Sequence, residues 1–117
     1  MNSDFIILNK TSQTIEYITN ILVNFPNKEH ILKQNIERDC YNIIENLYAY
    51  NLNETPRIRA KYLKDYLVKL AMLNYYCLTA YRRKYISKKQ ARVISNACFN
   101  LKKMTLSLLK GIGVNEV

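Results

Sequence analysis

Apolar side chains recur every three or four residues along most of the chain, which is the spacing of one buried face of a helix. Four segments show this pattern, and short breaks separate them at Phe25-Pro26-Asn27, at Asn53 to Pro56 and at Tyr85-Ile86-Ser87. Because the breaks are short, the segments predict an all-α fold, an up-down-up-down four-helix bundle. We expect a single domain over residues 1–117, with an irregular tail over 111–117.

The apolar stripes also predict which side chains form the core. They comprise Ile15, Ile18, Leu22 and Phe25 in the first segment; Ile31, Ile36, Cys40, Ile43, Ile44, Leu47 and Tyr50 in the second; Leu63, Tyr66, Leu67, Leu70, Leu73, Cys77 and Tyr81 in the third; and Ile94, Ala97, Leu101, Met104 and Leu108 in the fourth. Tyr62, Tyr66, Tyr76 and Tyr81 recur at helical spacing, which favours core packing over stacking on RNA bases.

Polar residues at the breaks predict where the helices begin and end. Asn27 is a candidate N-cap of the second helix, and Thr55 caps a third helix whose first residue is Pro56. The stretch Ser87-Lys88-Lys89-Gln90 is a capping box, in which the serine and glutamine side chains each accept the other residue's backbone N–H. Gly111 is expected to end the fourth helix.

Composition supports a helical protein of the cytoplasm. With 49% apolar and 23% charged residues the chain should fold, and 2 Gly and 2 Pro are few for the turns of a β protein. Cys40, Cys77 and Cys98 lie in apolar stretches and match neither a disulfide framework nor a zinc site, so we expect reduced core thiols. The start MNSDFIILNK resembles neither a signal peptide nor a membrane span.

Charge is distributed unevenly along the chain, whose formal net charge is +9. Residues 1–55 hold four basic and seven acidic side chains, whereas residues 56–117 hold fourteen basic side chains against Asp65 and Glu116. On the fourth helix, a rotation of about 100° per residue places Lys88, Arg92, Lys103 and Lys110 within about 60°, opposite the apolar set. A basic stripe facing away from the core is suited to contacts with phosphates of RNA or DNA.

The same argument extends to the third helix and to the turn that follows it. The complete predicted nucleic-acid-binding set is Arg57, Lys61, Lys64, Arg82, Arg83, Lys84, Lys88, Lys89, Arg92, Lys103 and Lys110. Charges that merely keep the protein in solution are the alternative. Membrane-surface binding is less favoured, because no broad apolar face adjoins the stripe.

Two apolar residues of the fourth helix, Phe99 and Leu106, fall inside its basic sector. They should therefore be exposed in a monomer, where they could contact a second subunit or stack on bases. Contact between subunits is the favoured use, so we predict a homo-oligomer with Phe99 and Leu106 in its interface.

Catalytic patterns are missing from the sequence. The lone histidine, His30, has no second metal-binding side chain nearby, and no arginine precedes it as in nucleases with an arginine-histidine motif. Gly111-Ile112-Gly113 follows no strand and precedes no helix, so it is not a phosphate loop. We expect no enzyme activity, no metal, no cofactor and no small-molecule substrate.

Three short stretches carry a resemblance to a known family. They are Phe25-Pro26, Val68-Lys69-Leu70-Ala71-Met72-Leu73-Asn74-Tyr75-Tyr76 and Ile86-Ser87-Lys88-Lys89-Gln90. In this order and spacing they resemble the four-helix family of the accessory variability determinant of diversity-generating retroelements. Proteins encoded in intervening sequences of bacterial 23S rRNA genes are related to that family.

The resemblance implies a pentameric barrel that binds RNA and DNA through basic surfaces and associates with the reverse transcriptase of the retroelement during mutagenic copying. Carried over by position, it implies nucleic-acid contacts by Arg57, Lys61, Lys64, Lys88, Arg92, Lys103 and Lys110. The alternative function is a non-catalytic oligomeric interaction module that does not bind nucleic acid.

Overall fold

The computed structural model describes residues 2–113. It contains four helices, α1 (Ser3–Leu22), α2 (His30–Leu52), α3 (Pro56–Arg82) and α4 (Lys88–Ile112), and one 3-10 turn at Asn27–Glu29. Each helix packs against two others, since α1 and α3 both contact α2 and α4. The bundle measures 44 × 23 × 23 Å, so its long axis follows the helices. The predicted all-α four-helix bundle is confirmed.

Side-chain contacts at the two ends of the bundle show the order of the helices. At one end, Glu29 before α2 accepts hydrogen bonds from Arg83 and Tyr85 after α3, each over 2.7 Å. At the other end, the Tyr50 hydroxyl donates to Asp4 over 2.7 Å, which joins the end of α2 to the start of α1. These pairings require successive helices to run in opposite directions.

Most of the predicted core lies inside the bundle. Ile18, Ile36, Ile43, Leu47, Leu63, Tyr66 and Leu73 are fully enclosed, and Leu22, Phe25, Cys40, Tyr50, Leu70, Cys77, Ile94 and Leu101 are also buried. Ile15, Tyr62, Tyr76, Met104 and Leu108 are partly buried and pack against this core.

Two predicted core residues are exposed instead. Ile31 is 64% exposed, because the buried stripe of α2 starts at Leu32 and continues through Ile36, and Ile31 lies about 100° round the helix from it. Tyr81 is 38% exposed at the last turn of α3, where Ala80 and Ile86 fill the end of the core.

The capping box that opens α4 is confirmed. The Gln90 N–H donates to Ser87 Oγ over 3.0 Å, and the Ser87 N–H donates to Gln90 Oε1 over 2.8 Å. Thr55 and Pro56 also occupy the predicted positions at the start of α3, although the Thr55 side chain makes no capping hydrogen bond.

Two predicted helix boundaries are wrong. Asn27 belongs to the 3-10 turn, and Glu29 is the N-cap of α2 without a side-chain hydrogen bond. Gly111 lies within α4, which continues to Ile112 and is capped by Gly113 at a left-handed φ of 75°. Glycine is favoured there because it has no Cβ. Of the predicted irregular tail over 111–117, residues 114–117 lie outside the described residues.

All three cysteines are free and buried, as the apolar pattern predicts. Burial raises the pKa of Cys40 and of Cys98 to about 12, and it raises the pKa of Cys77 as well. At neutral pH these groups are therefore protonated thiols, which are poor nucleophiles and poor metal ligands.

Candidate nucleic-acid interface

Basic side chains of α3 and α4 form the most uniform surface of the described chain. All eleven predicted binding residues are exposed. Across Pro56–Arg82 and Lys88–Ile112 the one acidic residue is Asp65. By contrast, α1 and α2 together carry Asp4, Glu16, Glu37, Asp39 and Glu45. The charge asymmetry of the sequence is therefore an asymmetry between two halves of the bundle.

The stripe on α4 consists of Lys88, Arg92, Lys103 and Lys110, and within residues 2–113 none of the four forms an ion pair. Their side chains are left to attract counter-ions or a polyanion, because no neighbouring carboxylate neutralises them. The opposite side of α4 is held by Ile94 and Leu101, each 1% exposed, which fixes the direction in which the stripe points.

On α3 the cations Arg57, Lys61 and Lys64 occupy the first two turns and are exposed. Lys61 pairs with Asp65 over 3.1 Å, four residues further along the same helix. A pair this exposed contributes little to stability, and a phosphate can compete with the carboxylate for the ammonium group. Arg57 and Lys64 form no ion pair within the described part of the chain.

The turn between α3 and α4 contains Arg82, Arg83, Lys84 and Lys89 close together in sequence, and one of them has a structural partner. Arg83 donates to Glu29 over 2.7 Å, and hydrogen bonds from Tyr85 and then from Arg83 lower the pKa of that carboxyl group. Glu29 is thus ionised at neutral pH and holds Arg83 against the connection between α1 and α2. Arg82, Lys84 and Lys89 have no such partner among residues 2–113.

A groove between α3 and α4 adjoins the stripe. It has a volume of about 600 Å³, and its lining includes Val68, Asn74, Ser95, Phe99 and Lys102. Sequence reasoning assigned no role to Lys102 or Asn74. Lys102 follows Phe99 by three residues and lies just outside the 60° sector chosen for the stripe, so a wider sector would have included it.

The two apolar residues of the basic sector are exposed, as predicted. Phe99 is 61% exposed and Leu106 is 47% exposed. Phe99 lines the groove, whereas Leu106 lies two turns further along α4 and is outside the groove lining. Lys103 Nζ lies 5.2 Å from the centre of the Phe99 ring, within the range of a cation–π contact.

Metal-binding chemistry finds no support in the described region. Among residues 2–113 no group of three or more His, Cys, Asp or Glu side chains is arranged to hold a metal ion. His30 is exposed at the start of α2. None of the helices described here is long and apolar enough to cross a membrane.

Comparison with known proteins identifies the fold. A crystal structure from Bacteroides thetaiotaomicron, described as a protein of unknown function from the S23 ribosomal protein family, matches with a TM-score of 0.84. The match covers 93% of this chain and 99% of that chain, at 19% sequence identity. No protein-family model matches the sequence, and no curated protein matches it. The chain shares the four-helix fold of that S23-family protein.

Proposed function

We propose that the protein is a non-catalytic nucleic-acid-binding accessory factor. The observation that carries this proposal is the stripe on α4, where four exposed cations have no ion-pair partner in residues 2–113 and no acidic residue on their own helix. An uncompensated row of positive charge repels itself, and a bound polyanion removes that repulsion. The nearby cations of α3 enlarge the surface that a phosphate backbone can follow.

The partner class follows from the chemistry of the contacts. Lysine and arginine neutralise phosphates without identifying bases, so RNA and DNA should both bind, with little sequence preference. The family resemblance supports a role in a diversity-generating retroelement, where the protein would associate with the reverse transcriptase and with template RNA or cDNA during mutagenic copying. In that setting, selectivity comes from the reverse transcriptase or from a structured RNA.

The experiment that tests this function is a salt titration of binding. Fluorescence anisotropy with a structured RNA, a single strand and a DNA duplex should show affinity that falls as salt rises. The log–log slope should be about −0.7 to −0.9 for each phosphate neutralised. Several phosphate contacts should be evident for each subunit. If none of the three ligands binds at about 50 mM salt, the proposed function is wrong.

A second candidate is an oligomeric interaction module whose charges serve solubility. The exposure of Phe99 and Leu106, 61% and 47%, favours it, because apolar side chains on a charged face are suited to contact with another subunit. A closed ring satisfies such patches without leaving free ends, and the family resemblance suggests five subunits.

Assembly is tested by light scattering at micromolar protein concentration. We expect a mass several times that of the 13.8 kDa chain. Leu106→Ser should shift the mass toward the monomer, because it removes apolar contact area while leaving the basic stripe intact. The matched control is Val23→Ser, which changes a residue that is 75% exposed beyond the end of α1. A wild-type protein of 13.8 kDa would contradict the prediction.

A further inference from the structure

The groove between α3 and α4 combines an apolar lining with exposed apolar side chains. Leu70 and Cys98 are buried, and they line it together with Val68 and Phe99, which are 62% and 61% exposed. Tyr75, the residue after Asn74, is a further exposed aromatic side chain at 55%. The groove therefore offers apolar surface to a flat partner.

Polar groups in the groove have unused hydrogen-bonding capacity. Ser95 Oγ donates to Asn74 Oδ1 over 3.1 Å, which joins α4 to α3 across the groove. The Asn74 side-chain amide nitrogen makes no hydrogen bond to the rest of residues 2–113, so two N–H donors remain for a ligand. Lys102 adds a positive charge to the same lining.

Charge decides between the partners that an apolar groove can take. Lys64 lies one turn before Val68 on α3, and Arg92 lies three residues before Ser95 on α4, so cations stand beyond the apolar segment on both helices. Asp65 is the one acid on these helices, and it is paired with Lys61. The matching partner is a polyanion that also carries flat apolar groups.

We propose that the groove between α3 and α4 binds single-stranded RNA or DNA, with an unpaired base stacked on Phe99. This rests on the proposed function and narrows it to unpaired strands. Basic grooves with exposed aromatic rings bind single strands in this way, since every base has a face that can stack. A duplex can contact the stripe, but its bases are already stacked and cannot reach Phe99.

The test compares Phe99→Ala with the wild type by fluorescence anisotropy, using oligouridine, oligothymidine and a DNA duplex. Loss of the ring should weaken single-strand binding by about five- to a hundredfold, the range found for one base–aromatic stack. Duplex affinity and the salt slope should stay unchanged, because no phosphate contact is removed. Phe99→Trp should retain single-strand binding because it keeps an aromatic ring.

Tyr41→Ala is the matched control, since Tyr41 is 74% exposed on α2, away from the groove. It should leave all three affinities unchanged. Photo-crosslinking of the wild type to oligouridine that contains 5-iodouridine gives a second measurement without any substitution. The crosslink should map to Phe99 or Tyr75, and a crosslink confined to residues outside the groove would overturn the proposal.

Other outcomes separate this proposal from the function on which it rests. If duplex and single strands bind the wild type with the expected salt dependence, but Phe99→Ala weakens neither or both equally, the base-stacking site is wrong and the basic surface stands. If Phe99→Ala lowers the mass in light scattering without a selective loss of single-strand affinity, a second copy of the chain occupies the groove. If the wild type binds no nucleic acid, both proposals fail.

Discussion

Replacing Lys88, Arg92, Lys103 and Lys110 by glutamate is expected to abolish binding to both RNA and DNA. All four side chains are exposed on α4 and have no ion-pair partner in residues 2–113, so the changes remove no packing contact and no salt bridge. Each substitution replaces an attraction for phosphate with a repulsion. Anisotropy at low salt measures the loss, and circular dichroism should show unchanged helical content.

The control for the change in total charge is a variant with glutamate at Lys10, Lys28 and Lys33, which lie in the acidic half of the sequence. If binding depends on the position of the charges, this variant should keep most of the wild-type affinity, because a salt-screened charge acts over only about 10 Å. An equal loss in both variants would mean that net charge governs binding, and the stripe would have no special role.

Local signals in the sequence were sufficient to place the helices. The pairing of Ser87 with Gln90 depends on residues three apart, and Pro56 marks a first helical turn by its missing N–H, so neither requires knowledge of the fold. Both starts agree with the structure. The direction of the α4 stripe was predictable for a similar reason, because the rotation per residue relates it to the buried Ile94 and Leu101.

Features that depend on two helices were not predictable in this way. The hydrogen bond between Asn74 and Ser95 joins residues 21 apart, and the bond of Arg83 to Glu29 joins residues 54 apart. The groove exists only because α3 and α4 pack side by side. Asp39 is a further example, since it is 1% exposed within α2, where periodicity alone would place an apolar residue.

Tyr66 is the core residue whose replacement should cost most stability. It has the largest fully enclosed side chain, and its hydroxyl shares a hydrogen bond with Thr11 Oγ1 over 2.8 Å, which links α3 to α1 through the core. Tyr66→Ala leaves a cavity and a buried Thr11 hydroxyl without its partner. We expect the free energy of unfolding to fall by about 3–5 kcal/mol, a large part of the ~5–15 kcal/mol typical of a domain.

Substitutions that retain the volume of the side chain separate packing from the hydrogen bond. Tyr66→Phe should lower the free energy of unfolding by about 1–3 kcal/mol, because it leaves the Thr11 hydroxyl unsatisfied in the core. Adding Thr11→Val to Tyr66→Phe should recover most of that loss, since both polar groups are then absent. Urea unfolding monitored by circular dichroism measures all three variants. If Tyr66→Phe is as stable as the wild type, the shared hydrogen bond does not stabilise the bundle. Folded Tyr66→Phe should bind RNA like the wild type, because a side chain with no exposed surface cannot stack on a base.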